Sequence, residues 1–124
     1  MYPVHSDPSG SFQELARKNE IKFGQLSYLI IEPNCSRGNH YHKRKEEWFC
    51  CVHGKCKFIL VNMRYMKTKS IILDGTKKQF LKIDPFERHL ITNISHNEKC
   101  EFIVISSEEF NNNDPDTYKT DGQR

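Results

Sequence analysis

The chain has 124 residues, with 19 Lys plus Arg against 16 Asp plus Glu and a net charge of +3. That length supports one hydrophobic core, and so small a charge excess does not by itself impose a nucleic-acid or membrane role. Hydrophobic residues make up 36% and aromatic residues 11%, too much apolar material for an intrinsically disordered body.

The opening MYPVHSDPSGSF lacks the basic segment and apolar stretch of a secretory signal, and no apolar run approaches the roughly 18 to 20 residues of a membrane helix. Both features predict a cytoplasmic protein with no membrane partner. Cys35, Cys50, Cys51, Cys56 and Cys100 are odd in number and contain no C-x-x-C pair. This argues against a disulfide framework or a thiolate zinc knuckle and leaves mostly buried small hydrophobes.

Ser11 to Asn19 fits a short helix by propensity and an edge strand by alternation. From there on, short apolar runs recur and no 3.6-residue period persists for three turns, so the body reads as β. The expected strands are Leu26 to Glu32, Glu47 to Val52, Lys55 to Asn62, Lys69 to Leu73, Gln79 to Ile83, His89 to Ile94 and Glu101 to Ile105. His53-Gly54 and Asp74-Gly75 read as tight hairpins, and Asp84-Pro85 as a bend. Ser106 to Asn111 reads as one helical turn. Residues 1–110 form the body and 111–124 a polar tail, either disordered or docked through Tyr118 alone. Short connections favour antiparallel neighbours, and there is no room for crossover helices. The fold class is therefore all-β, a single-domain antiparallel sandwich or barrel.

The most informative stretch is RGNHYHKRKEEWFCCVHG, residues 37–54. His40 and His42, at i and i+2, project to the same face of a strand, close enough to grip one ion. Glu47 has odd parity relative to them and joins them only if residues 43–46 make a turn or bulge. His89, just after Asp84-Pro85, starts a strand that a folding sheet brings opposite the pair. Three imidazoles and a carboxylate, with no thiolate, suit a divalent Zn, Mn, Fe, Co or Ni ion. Arg37, Lys43, Arg44 and Lys45 form a basic rim suited to a diphosphate. Four charges in one loop, without stacking aromatics, do not make a nucleic-acid footprint.

The pattern H-x-H-x4-E-x6-G at His40, His42, Glu47 and Gly54, followed by P-x3-H-x3-N at Pro85, His89 and Asn93, resembles the two motifs of the RmlC-like cupin superfamily. These are small jelly-roll barrels holding a metal inside. The second motif is one residue shorter than the usual form and lacks its glycine. More narrowly, SGSFQEL, RGNHYHKRKEEWF and DPDTY resemble the C-terminal cupin domain of CapF-like capsular polysaccharide enzymes. Those enzymes reduce and epimerise UDP-linked acetamido keto-sugars. The resemblance implies a cupin fold, a metal site of His40, His42, Glu47 and His89 with zinc first, and an epimerase or isomerase acting on a nucleotide-linked keto-sugar in surface polysaccharide synthesis. The chain has no G-x-G-x-x-G and no βαβ unit, so hydride transfer is expected from a separate reductase. R-G-x-H-Y also resembles the metal-free dTDP-keto-sugar epimerases, in which His40 would be the base; that role applies only if no metal is bound. Trp48 and Cys50, if outward, leave an apolar patch for a second copy, in line with a homodimer. The alternative function is a non-catalytic sugar- or metabolite-binding cupin acting as a partner or regulatory subunit.

Overall fold

A computed structural model describes residues 1–119. The last five residues of the expected polar tail lie outside the described residues. Ten strands form: β1 Val4–Asp7, β2 Gly10–Gln13, β3 Gln25–Ile31, β4 Ser36–His40, β5 Glu47–His53, β6 Lys55–Asn62, β7 Lys67–Asp74, β8 Phe80–Ile83, β9 Glu87–Asn93 and β10 Cys100–Ser106. The first two make a separate hairpin. The other eight form two four-stranded antiparallel sheets, ordered β3-β10-β5-β8 and β4-β9-β6-β7.

The pairs β6 with β7, β5 with β8, β4 with β9 and β3 with β10 nest about the turn between Asn62 and Lys67. The chain is thus one long hairpin, four strands deep, rolled into a jelly-roll barrel. Asn62 Oδ1 accepts from the backbone N–H groups of Arg64 and Tyr65 at 2.9 and 3.1 Å, an Asx turn that starts the reversal. All seven expected strands form, with ends shifted by at most two residues.

The expected hairpins at His53-Gly54 and Asp74-Gly75 do not form. β5 pairs with β10 and β8, and β6 with β7 and β9, so both turns carry the chain from one sheet to the other. A turn signal is local, whereas pairing depends on which strand edges are free; β5 is occupied on both sides. Gly54 is needed at its corner: its φ is +85°, and a Cβ there would lie 2.6 Å from the Lys99 carbonyl oxygen. The helical turn expected at Ser106 to Asn111 is also absent, replaced by the end of β10 and a bend.

Inward residues of both sheets make the core. Phe49, Phe58 and Phe102 meet edge to face with ring centroids 5.4 to 6.3 Å apart, surrounded by Ile31, Leu60, Ile83 and Ile91. Cys50, Cys51, Cys56 and Cys100 are buried, as expected. The sulfurs of Cys56 and Cys100 face each other across the core; Cys35, Cys50 and Cys51 are free, so there is no disulfide framework among the described residues. Trp48 does not offer an open patch: it is 5% exposed and Cys50 is fully buried. Met1, Tyr2, Leu15 and Ile21 share a cleft with Trp48, so the chain's own N-terminal segment covers that face. Among the described residues, no helix is long and apolar enough to cross a membrane.

Candidate functional site

β4, SRGNH, carries no aliphatic residue and was not among the expected strands, yet it delivers the first histidine. It pairs with β9 through a bulge between Gly38 and His40. Gly38 and Asn39 have φ of +93° and +68°, the left-handed values that a bulge needs. A Cβ on Gly38 would meet the His89 carbonyl oxygen at 2.8 Å. The bulge places His40 directly opposite His89, with ring centroids 4.7 Å apart.

β4 ends at His40, and an isolated antiparallel bridge between Tyr41 and Tyr118 continues the extended backbone. This keeps His42 on the face of His40, their rings 5.2 Å apart. Residues 43–46 then make the turn that the parity of Glu47 requires. Ligating atoms of His40, His42 and His89 all lie within 4.8 Å of one another. Glu47 Oε1 lies 2.8 Å from His42 Nε2 and 3.4 Å from His89 Nε2. The three histidines thus form one cluster, with the Glu47 carboxylate against His42 and His89.

The orientation of two imidazoles follows from elementary hydrogen bonding. His42 Nδ1 faces the carbonyl oxygen of Asp116 at 2.7 Å, and His89 Nδ1 faces that of Glu87 at 3.1 Å. A carbonyl only accepts, so both Nδ1 atoms donate, and both Nε2 atoms turn toward Glu47. At 2.8 Å from the Glu47 carboxylate, His42 Nε2 either carries a proton and donates it to Glu47 as an imidazolium, or is bare and shares a cation with it. The donor set thus fits a divalent ion: nitrogen and oxygen ligands, with backbone carbonyls fixing two ring tautomers.

Electrostatics agree. Burial, together with the neighbouring His89 and His42, pushes His40 down to about 4, so it is neutral at pH 7 with a lone pair to offer. Burial lowers His89 as well. Burial opposes ionisation of Glu47, but the His42 hydrogen bond and the surrounding imidazoles outweigh it and hold the carboxyl below its ordinary range.

The site opens on a cavity of about 270 Å³ lined by Ser27, Arg37, His40, Glu47, Phe49 and His89, among others. Arg37 is on its wall; Lys43, Arg44 and Lys45 are not among its lining residues. Lys43 Nζ sits 4.2 Å over the Tyr118 ring, Arg44 makes a two-pronged pair with Glu108, and Lys45 is buried. A larger cleft of about 630 Å³ lies around His53, Asp74 and Glu98, at the far end of β5, roughly 20 Å from Glu47 by strand rise. It gathers no comparable ligand set. Asn93, the last residue of the second motif, is buried away from this cavity and ties β9 to the Ile31 and Glu98 carbonyls at 3.0 and 2.8 Å. Sequence reasoning missed the roles of Gly38 and Asp116; a glycine two residues before H-x-H and the DPDTY segment were the available signals.

A jelly-roll barrel with three histidines and a carboxylate converging beside an internal cavity defines the RmlC-like cupin class. The family model for the polysaccharide biosynthesis C-terminal domain matches residues 5–118, and the chain belongs to that family. It is 32% identical over 116 residues to a Pseudomonas aeruginosa UDP-2-acetamido-2,6-beta-L-arabino-hexul-4-ose reductase, covering 94% of this chain and 30% of the relative. The capsular polysaccharide assembling protein CapF of Staphylococcus aureus superposes with a TM-score of 0.74 at 30% identity, over 96% of this chain and 33% of that one. A 3,4-ketoisomerase from Helicobacter canadensis matches with a TM-score of 0.77 at 26% identity, over 95% and 86% of the two chains. The chain spans about a third of the length of the first two relatives.

Proposed function

We propose that this chain binds a divalent metal ion, zinc first, through His40, His42, Glu47 and His89, and epimerises or isomerises a nucleotide-linked keto-sugar in surface polysaccharide synthesis. The observation that carries the reading is the cluster of His40, His42 and His89 with Glu47 against it, of which His40, Glu47 and His89 line a cavity whose wall also holds Arg37. Manganese, iron, cobalt and nickel share the same donors. The names of the relatives, a ketoisomerase, a capsule assembly protein and a UDP-sugar reductase, support the same substrate class.

A proton on the carbon beside a ketone is acidified when charge on the ketone oxygen is stabilised. A divalent ion at the four ligands supplies that positive charge when bound. Arg37 supplies a fixed cation for the sugar's diphosphate, and Phe49, Ile91 and Val104 give the cavity an apolar floor. His40 is free to serve as base only in a metal-free site. Hydride transfer is assigned to no residue of this chain, and a reductase is the partner that this reading calls for. β3, at a sheet edge, turns Leu26, Tyr28 and Ile30 outward and exposed; we assign that stripe to a second copy of the chain.

Elemental analysis of the purified protein and of His42→Ala and Glu47→Ala tests the site: about one ion per wild-type chain and loss in both variants supports it, and a wild type without metal overturns it. Incubation with a UDP-linked keto-sugar in deuterated water tests the reaction. Deuterium entering the carbon beside the ketone supports turnover. Saturable binding without exchange gives the sugar-binding, non-catalytic alternative instead.

A further inference from the structure

Asp116, in the polar DPDTY segment, lies 74 positions beyond His42. It is nevertheless 1% exposed. The carboxylate accepts from three consecutive backbone N–H groups: Oδ1 from Lys43 at 3.0 Å, Oδ2 from Arg44 at 2.9 Å and from Lys45 at 2.8 Å. The carbonyl oxygen of the same residue accepts from His42 Nδ1 at 2.7 Å. Asp116 has a φ of +49°, a left-handed value that Asp tolerates better than most side chains.

One residue therefore holds both sides of the turn between His42 and Glu47. Its carbonyl sets the tautomer and ring direction of His42, and its carboxylate templates the turn that reverses the parity of Glu47. The segment is clamped in place. Tyr118 exchanges two backbone hydrogen bonds of 2.9 Å with Tyr41. The rings of Tyr118, Tyr41 and Phe86 stack in succession at 5.7 and 6.1 Å, with Lys43 over one end and Arg64 over the other.

We infer that Asp116 is the positioning residue of the site: it orients His42 and sets the approach of Glu47 so that both face one ion, and without it the ligand set holds that ion more weakly. The role in metal binding rests on the metal reading above; the role in fixing the His42 tautomer does not.

The test uses the full chain carrying Asp116→Ala and Asp116→Asn. Asn keeps the left-handed backbone but offers one acceptor atom where the carboxylate offers two. Two readouts are taken: zinc affinity by chelator competition, and the His42 tautomer by 15N NMR of the metal-free protein, assigned with His42→Ala. The expected result is a protonated Nδ1 in wild type, a mixture of tautomers in Asp116→Ala because loss of the three carboxylate hydrogen bonds lets the backbone carbonyl drift from His42, and zinc affinity lowered tenfold to a hundredfold, with Asp116→Asn between. Should Asp116→Ala not fold, Asp116→Asn carries both readouts, with the same direction expected. Unchanged tautomer and unchanged zinc affinity in a folded variant overturn the inference. A wild type that binds no zinc overturns the metal reading, and the NMR readout still decides whether Asp116 orients His42.

Discussion

At the scale of single residues, the site is a set of side chains whose protonation is fixed by what surrounds them. The ordinary value for a histidine is 6.5, and burial carries His40 down to about 4 in the folded chain. The unfolded chain therefore takes up the proton first. Stability of the metal-free protein is at full strength above about 6.5 and falls as pH drops through about 4. Glu47, held below its ordinary range, is lost in the same sense further down. Urea midpoints in EDTA at pH 7.5, 6 and 4.5 check this, and a midpoint independent of pH would contradict it. Gly38 is the other residue whose role is purely geometric. Gly38→Ala combines a φ of +93° with a Cβ 2.8 Å from the His89 carbonyl oxygen. The strained backbone should cost about 1 to 3 kcal/mol, and the displaced bulge should weaken zinc binding; thermal denaturation and chelator competition read the two effects separately.

At the scale of elements, β5 has the most demanding place. It pairs on both sides, packs Phe49 inward, hides Trp48 under the N-terminal segment and presents Glu47 at its first position. Phe102, on the neighbouring β10, is fully buried against Phe49 and Phe58. Phe102→Ala should destabilise by about 3 to 5 kcal/mol, read as a shift in denaturant midpoint. The same elements show how the sequence signals work. β5, β6 and β10 are rich in Phe, Val, Ile and Cys, and their apolar runs located them within a residue. β4 was missed because its five residues, SRGNH, bury no aliphatic side chain: hydrogen bonds to β9 and the needs of the site make it a strand. The turn at residues 43–46 was foreseen from parity alone, but the group that holds it, Asp116, was not, because a carboxylate that caps a distant loop leaves no periodic trace.

At the scale of the whole molecule, nesting four antiparallel pairs about one turn brings both ends of a long hairpin to a common interior. His40, His42 and Glu47 come from its outward limb and His89 from its return limb. The outward stripe of Leu26, Tyr28 and Ile30 on an edge strand, with Ile103 and Ile105 beside it in register, is the apolar face available to a second copy. Ile30→Asp is expected to shift the sedimentation coefficient from dimer toward monomer without lowering zinc content, which separates the oligomer from the site; a wild type that sediments as a monomer would falsify the assignment.

The residue pattern by itself determined a β-rich body, the places of seven strands, and three histidines that the fold brings to one cluster. Alternation and fixed motif spacing are short-range properties that the chain writes directly. Only the tertiary structure decided which strands pair and that the sharp turns at Gly54 and Gly75 change sheets. It alone showed that Lys43, Arg44 and Lys45 are engaged by partners of their own chain, and that a polar tail residue holds the histidine in place. Each of these depends on which hydrogen-bonding groups remain unpaired after the barrel has closed, and that is a property of the assembled fold.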